Sequence, residues 1–487
     1  MLLRDAVEYH FLTANGLLNA GFLINMNNTA RTELEAIFEA HRLSFESAQL
    51  QEYGRDWTRQ FDPDPVAVVW PDSTEQVIEL VQWARRHKVA LVPSGGRTGL
   101  SGGAMACQQE VVVSFDRMNQ ITDFNPVDRT VTCGPGVITA ELQGFAKEKN
   151  LFYPIDFASS GSSQLGGNIA SNAGGIKVLK YGLTRDWVAG LKVVTGQGEC
   201  LSLNQGLIKN ATGYDFRHLM VGSEGTLGFI VEATMRLAEQ PPHAQVVVLG
   251  VPDLDAIMKV FQAFRERLDL TAFEFFSEEA LQIVLSKSDL SRPFEGVTPY
   301  YVLLEASQAT EAQEAELLAC FERCVEEGWV EDGVISQSET QFDALWGLRE
   351  RISESISEWT PYKNDIAVTI SQVPGFLADI DRIVKADYPD FQLIWFGHIG
   401  DGNLHLNILK PESLDRERFI ERCKGVSEKV YGCVQQYQGS VSAEHGVGLI
   451  KKGALGYSRA AEEIGLMEQV KAVFDPDGIM NPGKVVG

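Results

Sequence analysis

Three of the chain's eight histidines fall in two short pieces. One is Phe396-Gly397-His398-Ile399-Gly400-Asp401-Gly402-Asn403-Leu404-His405-Leu406-Asn407, and the other is Ser442-Ala443-Glu444-His445-Gly446. Apolar residues before and after His398 predict two short strands joined by a tight turn at residues 399–402. His405 and Asn407 stand two apart on the second strand and share a face, while His398 comes from the partner strand. With Glu444 they make two imidazoles and one carboxylate, the donor set of a catalytic zinc site that keeps a position open. His445 lies beside it. A single histidine on such a hairpin would more simply be a satisfied polar residue. Three buried together need partners, so the set favours a divalent metal at His398, His405 and Glu444.

The elements that must position these residues can be read along the chain. Pro65–Trp70 predicts a buried strand. Ser73-Thr74-Glu75-Gln76 is a capping box, followed by Val77, Leu80, Val81 and Ala84 at helical spacing. Residues 89–93 predict a second strand, so the unit is βαβ and ends in a glycine-rich turn. Further strands are expected at 111–115, 130–133, 191–195 and 229–237, with a helix near 139–149. Pro241-Pro242 is a natural boundary. Beyond it the pattern predicts a second α+β unit with an antiparallel sheet. Its strands are expected at 246–251, 301–305 and 392–398, and its helices at 253–267, 310–327 and 341–358. The last fifty residues read as helical. The first twenty-five are mildly apolar, broken by polar residues and too short to span a membrane. With no basic n-region they predict an unstructured leader, or a start placed upstream of Met26.

Composition bounds the function. A chain of 487 residues with 44% apolar and 22% charged residues predicts a globular protein of two or three domains. The net charge of −24 argues against nucleic acid and anionic membrane surfaces as partners. An anionic substrate must therefore meet a local basic pocket. The seven scattered cysteines contain no Cys-x-x-Cys, which predicts a reducing, cytoplasmic setting with neither disulfides nor an iron–sulfur cluster.

Two glycine-rich loops carry the other signal. Pro93-Ser94-Gly95-Gly96-Arg97-Thr98-Gly99-Leu100-Ser101-Gly102-Gly103 follows a strand directly, and its side-chain-free positions let backbone N–H groups converge on an anion such as pyrophosphate. Ser162-Ser163-Gln164-Leu165-Gly166-Gly167-Asn168-Ile169-Ala170-Ser171-Asn172-Ala173-Gly174-Gly175 is built of small residues and amides against which a flat ring system could lie. Gly478 to Lys484 has P-loop spacing, but Val485 stands where a magnesium-binding hydroxyl is required, and the chain has no G-x-G-x-x-G.

Together with Thr212-Gly213-Tyr214-Asp215, Val221-Gly222-Ser223-Glu224-Gly225-Thr226-Leu227-Gly228 and Asn481-Pro482-Gly483-Lys484, these segments resemble the FAD-linked D-2-hydroxyacid dehydrogenases of the vanillyl-alcohol-oxidase type fold. The members acting on D-2-hydroxyglutarate are the most similar. The resemblance runs from about Pro65 to Lys484 and implies an α+β chain. Residues 1–26 would be a leader, 27–240 a two-part FAD-binding domain, 241–435 an antiparallel-sheet cap domain and 436–487 a C-terminal segment packing back on the flavin. It implies that Pro93, Gly95, Gly96, Arg97, Thr98, Gly99 and Gly102 hold the pyrophosphate. Ser162, Gly166, Asn168, Ser171, Gly174 and Gly175 would line the flavin, with Glu224, Ile230 and Asn481 also at the cofactor. Neither loop has a histidine, so FAD is expected to be noncovalent.

By the same resemblance His398, His405 and Glu444 bind Zn2+, Mn2+ or Co2+. His445 is the base and Asn407 contacts substrate. Arg349, Ser353 and Lys363 hold a distal carboxylate. Arg351 competes with Arg349 for that role, and Arg97 and Ser353 depart from the family's usual asparagine and threonine. The implied reaction takes D-2-hydroxyglutarate to 2-oxoglutarate by hydride transfer from C2. The electron acceptor would be an electron-transfer flavoprotein or a quinone, and a homodimer is admitted. Rival readings are a D-lactate or glycolate dehydrogenase and, more remotely, a flavin-dependent transferase of the alkylglycerone-phosphate synthase kind.

Overall fold

The computed structural model describes residues 26–58, 60–307 and 310–486. The expected leader lies outside the described residues apart from Met26, which packs on the edge of a core cluster.

The amino-terminal half carries two main sheets. In the first, Ala67–Val69 and Leu91–Ser94 both run parallel to Val111–Ser114, which lies between them, and Leu43–Ser44 closes one edge antiparallel. The strand–helix–strand unit is therefore present with a third strand inserted in it. Its helix, Thr74–His87, starts where Ser73 accepts the Gln76 N–H. The Gln76 side chain reaches back to the Asp72 N–H rather than to Ser73. The second sheet is antiparallel, in the order Ile121–Asn125, Thr130–Cys133, Gly228–Arg236, Val188–Thr195, Cys200–Leu203.

Past Ala244 a seven-stranded sheet dominates. Its order is Asp332–Ile335, Ala244–Val251, Tyr300–Ser307, Leu270–Ser277, Leu393–Gly397, Asn403–Ile408, Tyr362–Ala367, and every pairing is antiparallel. One face is almost wholly apolar, with Asn364 opposite Leu406 the polar exception. Val247, Leu249, Phe273, Phe275, Leu304, Leu404 and Leu406 pack there with residues of the helices Leu254–Arg265, Glu311–Glu326, Val373–Asp387 and Arg416–Gln436. On the other face Val246, Val248, Phe276, Leu303 and Phe396 meet Leu345, Trp346, Leu348 and Ile352. Where those covering helices stop, this second face becomes polar.

Three strands of this sheet escape the sequence reading, the short edge strand Asp332–Ile335 among them. Leu270–Ser277 is buried at every position, so its pattern does not alternate. Tyr362–Ala367 reads Tyr-Lys-Asn-Asp-Ile-Ala, with polar residues where a core strand would carry apolar ones. The carboxyl-terminal piece is less helical than expected. It holds one α-helix, Ala461–Phe474, and a 3-10 stretch at Lys452–Tyr457. Residues 438–450 are irregular because Gly446 and Gly448 have positive φ and polar side chains from elsewhere capture the backbone N–H groups.

The hairpin turn is a single 3-10 turn, Ile399–Asp401, ended by Gly402 at φ +87°. A Cβ there would lie 2.1 Å from the Val368 carbonyl oxygen. Gly402→Ala is expected to cost at least about 1–3 kcal/mol in backbone strain alone. Denaturant unfolding should show this loss, and an unchanged midpoint would mean that the turn rearranges freely.

Candidate active site

Opposed residues of neighbouring strands share a face, so the register gathers the polar groups. Asp365 lies opposite His405, and Lys363 opposite Asn407. Phe396 lies opposite His405 on the other side. Glu444 reaches this face from the irregular carboxyl-terminal segment. Its Oε1 is 3.4 Å from His405 Nε2 and its Oε2 is 3.7 Å from His398 Nε2. The His398 and His405 rings stand edge to face, with centroids 5.4 Å apart. His398 Nδ1 contacts Glu274 Oε1 at 2.8 Å. A carboxylate bonded to the far nitrogen of a ligating imidazole is the usual support of such a ligand.

Asp365, His405, Glu444 and His445 offer donor atoms that all lie within 4.8 Å of one another, a cluster that does not include His398. Hydrogen bonding argues against Asp365 in it. Asp365 Oδ1 accepts the Asn403 amide at 2.9 Å, and Oδ2 faces the N–H groups of Glu444 and His445 at 3.2 and 3.0 Å and Lys451 Nζ at 3.3 Å. Those donors occupy its lone pairs. Asp365 is better suited to anchoring the Glu444–His445 backbone than to ligation, while the Nε2 atoms of His398, His405 and His445 all face Glu444, that of His445 at 3.6 Å. Two imidazoles and a carboxylate fit a divalent ion. Neither Asp365 nor Glu274 had a motif in the sequence to mark it.

The electrostatics are those of crowded like and unlike charges. Burial opposes a charge on His398, but Glu274 and Glu444 outweigh it and raise its pKa to about 9. Burial lifts Glu444 to about 7 and Asp401 to about 6. Burial and the neighbouring His398 hold His405 well below the usual histidine range. An unperturbed histidine base works at about pH 6.5. Burial instead pushes His445 down to about 4, and Asp365, whose Oδ2 is 3.4 Å from its Nδ1, offsets this only in part. Its ring is therefore neutral at ordinary pH, with a lone pair to offer but less basic than an exposed histidine.

The segment that carries Glu444 and His445 is fixed from both halves of the chain. Ser101 Oγ, in the first glycine-rich loop, donates to the His445 and Gly446 carbonyls at 2.8 and 2.9 Å. Glu224 accepts the N–H groups of Val447 and Gly448 at 2.7 and 2.9 Å. The Glu224 N–H also bonds the Ala170 carbonyl and its carbonyl accepts from Asn481, so every polar group of Glu224 is used in tying these segments together. Asn481 is fully buried, donates to the Gly103 and Glu224 carbonyls, and leaves its Oδ1 without a partner.

Of the expected substrate residues, Arg349 is 5% exposed, whereas Arg351 points to solvent. Arg349 Nη2 lies 2.8 Å from Glu274 Oε2, but its N–H bonds miss the carboxylate, so Nε and Nη2 have no hydrogen-bond partner. Its guanidinium lies 4.7 Å from the Phe396 ring centre. Lys363 Nζ donates to Ser353 Oγ at 3.2 Å and has no carboxylate partner among the described residues, and burial pulls its pKa below the usual lysine value. The Asn407 Nδ2 is buried and unpaired.

The two glycine-rich loops lie against each other. A Cβ on Gly96 would sit 2.1 Å from the Ser162 carbonyl oxygen, and one on Gly175 would sit 1.9 Å from that of Asp156. Gly166 packs on Pro135, Gly174 on Leu183 and Gly102 on Leu449, whereas Gly167 faces open space. The N–H groups of Gly95, Gly96, Arg97, Thr98 and Gly99 donate to no other backbone group among the described residues. Five consecutive free donors after Pro93 suit a pyrophosphate. The Arg97 guanidinium instead lies over the Tyr53 ring. Asn168 bonds Thr139, Ser171 bonds the Gly167 carbonyl, and Ile230 is buried in its strand. Gln164, not singled out in the sequence, has a buried unpaired Oε1 near Gly95.

The His398 value carries a pH dependence. Its folded pKa exceeds the ordinary 6.5, so the stability it contributes is complete below pH 6.5 and is lost as the pH rises through 9. Metal-stripped protein should lose on the order of 3 kcal/mol over that interval. A metal on Nε2 excludes the proton, so zinc-loaded protein should lack this component. Equal pH dependence of unfolding in both forms would remove His398 from the metal site.

Residues 65–204 match the family model of the FAD binding domain, and residues 240–485 match that of the FAD linked oxidases, C-terminal domain. The chain is 60% identical to D-2-hydroxyglutarate dehydrogenase of Stutzerimonas stutzeri, over 93% of this chain and 98% of that protein. It is 35% identical to a Schizosaccharomyces pombe protein provisionally named a mitochondrial D-lactate dehydrogenase, over 91% and 86% of the two chains. The fold also matches 4-ethylphenol oxidase from Gulosibacter chungangensis, with TM-score 0.77, 16% identity, and coverage of 96% of this chain and 98% of that one. The chain belongs to the FAD-linked oxidases, in the family of the D-2-hydroxyglutarate dehydrogenases.

Proposed function

We propose that the protein oxidises a D-2-hydroxy dicarboxylate, D-2-hydroxyglutarate, to the 2-oxo acid. The observation that supports this reading is a pair of buried cations, Lys363 with no carboxylate partner among the described residues and Arg349 paired with Glu274 but with donors to spare. Lys363 has only a hydroxyl beside it, and Arg349 has buried N–H donors without acceptors. Leaving such donors unsatisfied is costly, and a substrate carboxylate would satisfy them. In this reading residues 27–240 form the flavin domain, 241–435 the cap and 436–487 the closing segment.

When bound, FAD supplies the acceptor for the C2 hydride and a divalent ion at His398, His405 and Glu444 supplies positive charge beside the substrate hydroxyl. The chain's own residues do the rest. Asp365 beside Nδ1 leaves His445 Nε2 to take the hydroxyl proton and favours the cation that forms. Asn407 Nδ2 donates to the substrate. Arg349, Ser353 and Lys363 hold the far carboxylate, which fixes C2 relative to both centres. Holding FAD noncovalently follows from loops that offer no histidine.

The second reading, oxidation of D-lactate or glycolate, has the Schizosaccharomyces pombe relative's name in its favour. It gives Arg349 and Lys363 no substrate to bind. The transferase reading leaves the histidine–glutamate cluster without a purpose.

A charged hydrogen bond is worth roughly 1.5–3 kcal/mol, so Arg349→Ala should lower kcat/KM for D-2-hydroxyglutarate about tenfold to a hundredfold. D-lactate, which lacks a second carboxylate, should lose little. Equal losses on both substrates would make Arg349 structural, and a wild-type preference for lactate would favour the second reading.

His445→Asn should lower kcat by about 10²–10⁴-fold with metal and flavin still bound. A near-normal kcat would exclude His445 as the base, and loss of the metal would make it a ligand.

A further inference from the structure

Glu274 is a carboxylate in the middle of the strand Leu270–Ser277, with 1% of its surface exposed. Its nearest neighbours on the same face are Ala272 and Phe276, both fully buried. Burying a carboxylate at such a place costs several kcal/mol unless charged groups surround it. Two do. Oε1 meets His398 Nδ1 at 2.8 Å, and Oε2 lies 2.8 Å from Arg349 Nη2. The two contacts differ in kind. The first is a hydrogen bond. The second brings charges together without aligning the N–H bonds, so Oε2 accepts no hydrogen bond.

The placement of these partners gives the residue a role. His398 is the ring whose other nitrogen faces Glu444, and Arg349 is the cation with donors left free. One side chain therefore touches a residue of the metal centre and a residue of the distal carboxylate pocket. A carboxylate on Nδ1 requires a proton there, which leaves the Nε2 lone pair free to bind an ion and prevents the ring from turning. A carboxylate beside the guanidinium, but out of line with its N–H groups, draws Arg349 to one place without occupying its donors. The donors remain available to a ligand.

We propose that Glu274 is a positioning residue that sets the ligating face of His398 and the location of Arg349, and so couples metal binding to recognition of the second substrate carboxylate. The recognition half rests on the dicarboxylate reading above. The metal half does not depend on it.

The alternative is a buried ion pair that only stabilises the sheet. Two variants separate these. Glu274→Gln keeps the size and keeps an oxygen that can accept the His398 Nδ1 proton, but turns a donor toward Arg349. Glu274→Ala removes both contacts. Flavin-loaded, metal-stripped protein would be titrated with Zn2+ against a chromogenic chelator. Steady-state kinetics on D-2-hydroxyglutarate and D-lactate would then be run on zinc-loaded enzyme.

Loss of such a supporting partner typically weakens metal affinity about 10–100-fold, which is expected for Glu274→Ala. Glu274→Gln should retain zinc within a few-fold of wild type, yet raise KM for the dicarboxylate about tenfold with little change for D-lactate. A purely structural role would lower the unfolding midpoint in both variants without this separation. Wild-type zinc affinity in Glu274→Ala would overturn the metal half. If that variant does not fold, an unchanged KM for the dicarboxylate in Glu274→Gln would overturn the coupling. If wild-type enzyme shows no preference for the dicarboxylate, the dicarboxylate reading fails while the zinc titration still decides what Glu274 does for His398.

Discussion

The Asp365 carboxylate is the constraint on which the site depends. It sits 1% exposed on an edge strand, and it gathers the Glu444 and His445 N–H groups, the Asn403 amide and the Lys451 ammonium. Burial opposes its charge, but His445, Lys451 and His405 outweigh that and hold its pKa well below the usual carboxylate range. An anion so surrounded cannot give up its charge cheaply, and it cannot move without leaving several donors unsatisfied. The Glu444–His445 backbone is therefore held against the sheet in one place. That segment has no regular structure of its own, so hydrogen bonds of this kind must do what a helix or strand would otherwise do.

The same segment is tied on its other side to the flavin half. Ser101 takes the carbonyls of His445 and Gly446, and Glu224 takes the N–H groups of Val447 and Gly448. Five residues in a row, Glu444 to Gly448, are thus bonded first to the seven-stranded sheet and then to the amino-terminal half. Whatever lies on the polar face of the seven-stranded sheet is located relative to the first glycine-rich loop by side chains of fixed length. Burial raises Glu224 to about 7, and the two backbone donors offset only part of the cost of its charge.

Much of the fold was legible in the sequence, because its core follows simple periods. The capped helix Thr74–His87 and the strand Ala244–Val251 announce themselves by spacing and by β-branched residues. The hairpin with His398, His405 and Asn407 was legible because histidines and glycines are scarce and their spacing is informative. Tyr362–Ala367 was not legible as a strand, since its inward positions carry Lys363 and Asp365 and function displaced the apolar pattern. Glu274 was hidden for the opposite reason. It is a lone acid in a strand buried at every position, and only the pairing with His398 reveals a purpose. The helix Arg416–Gln436 is highly polar, and its covered face shows only once the sheet beneath it is known.

The closing residues bear on how the chain assembles during synthesis. Met480 forms a parallel bridge with Leu91, the Asn481 amide bonds the Gly103 carbonyl 378 positions earlier, and Lys484 is 1% exposed beside Glu110. The sheet that presents the first glycine-rich loop is therefore incomplete until residues 480–481 have been made. Contacts this distant in sequence form late and expose their partners meanwhile. A nascent amino-terminal half would wait with one sheet edge bare, so the cofactor-binding half matures only after the seven-stranded sheet that lies between has been synthesised.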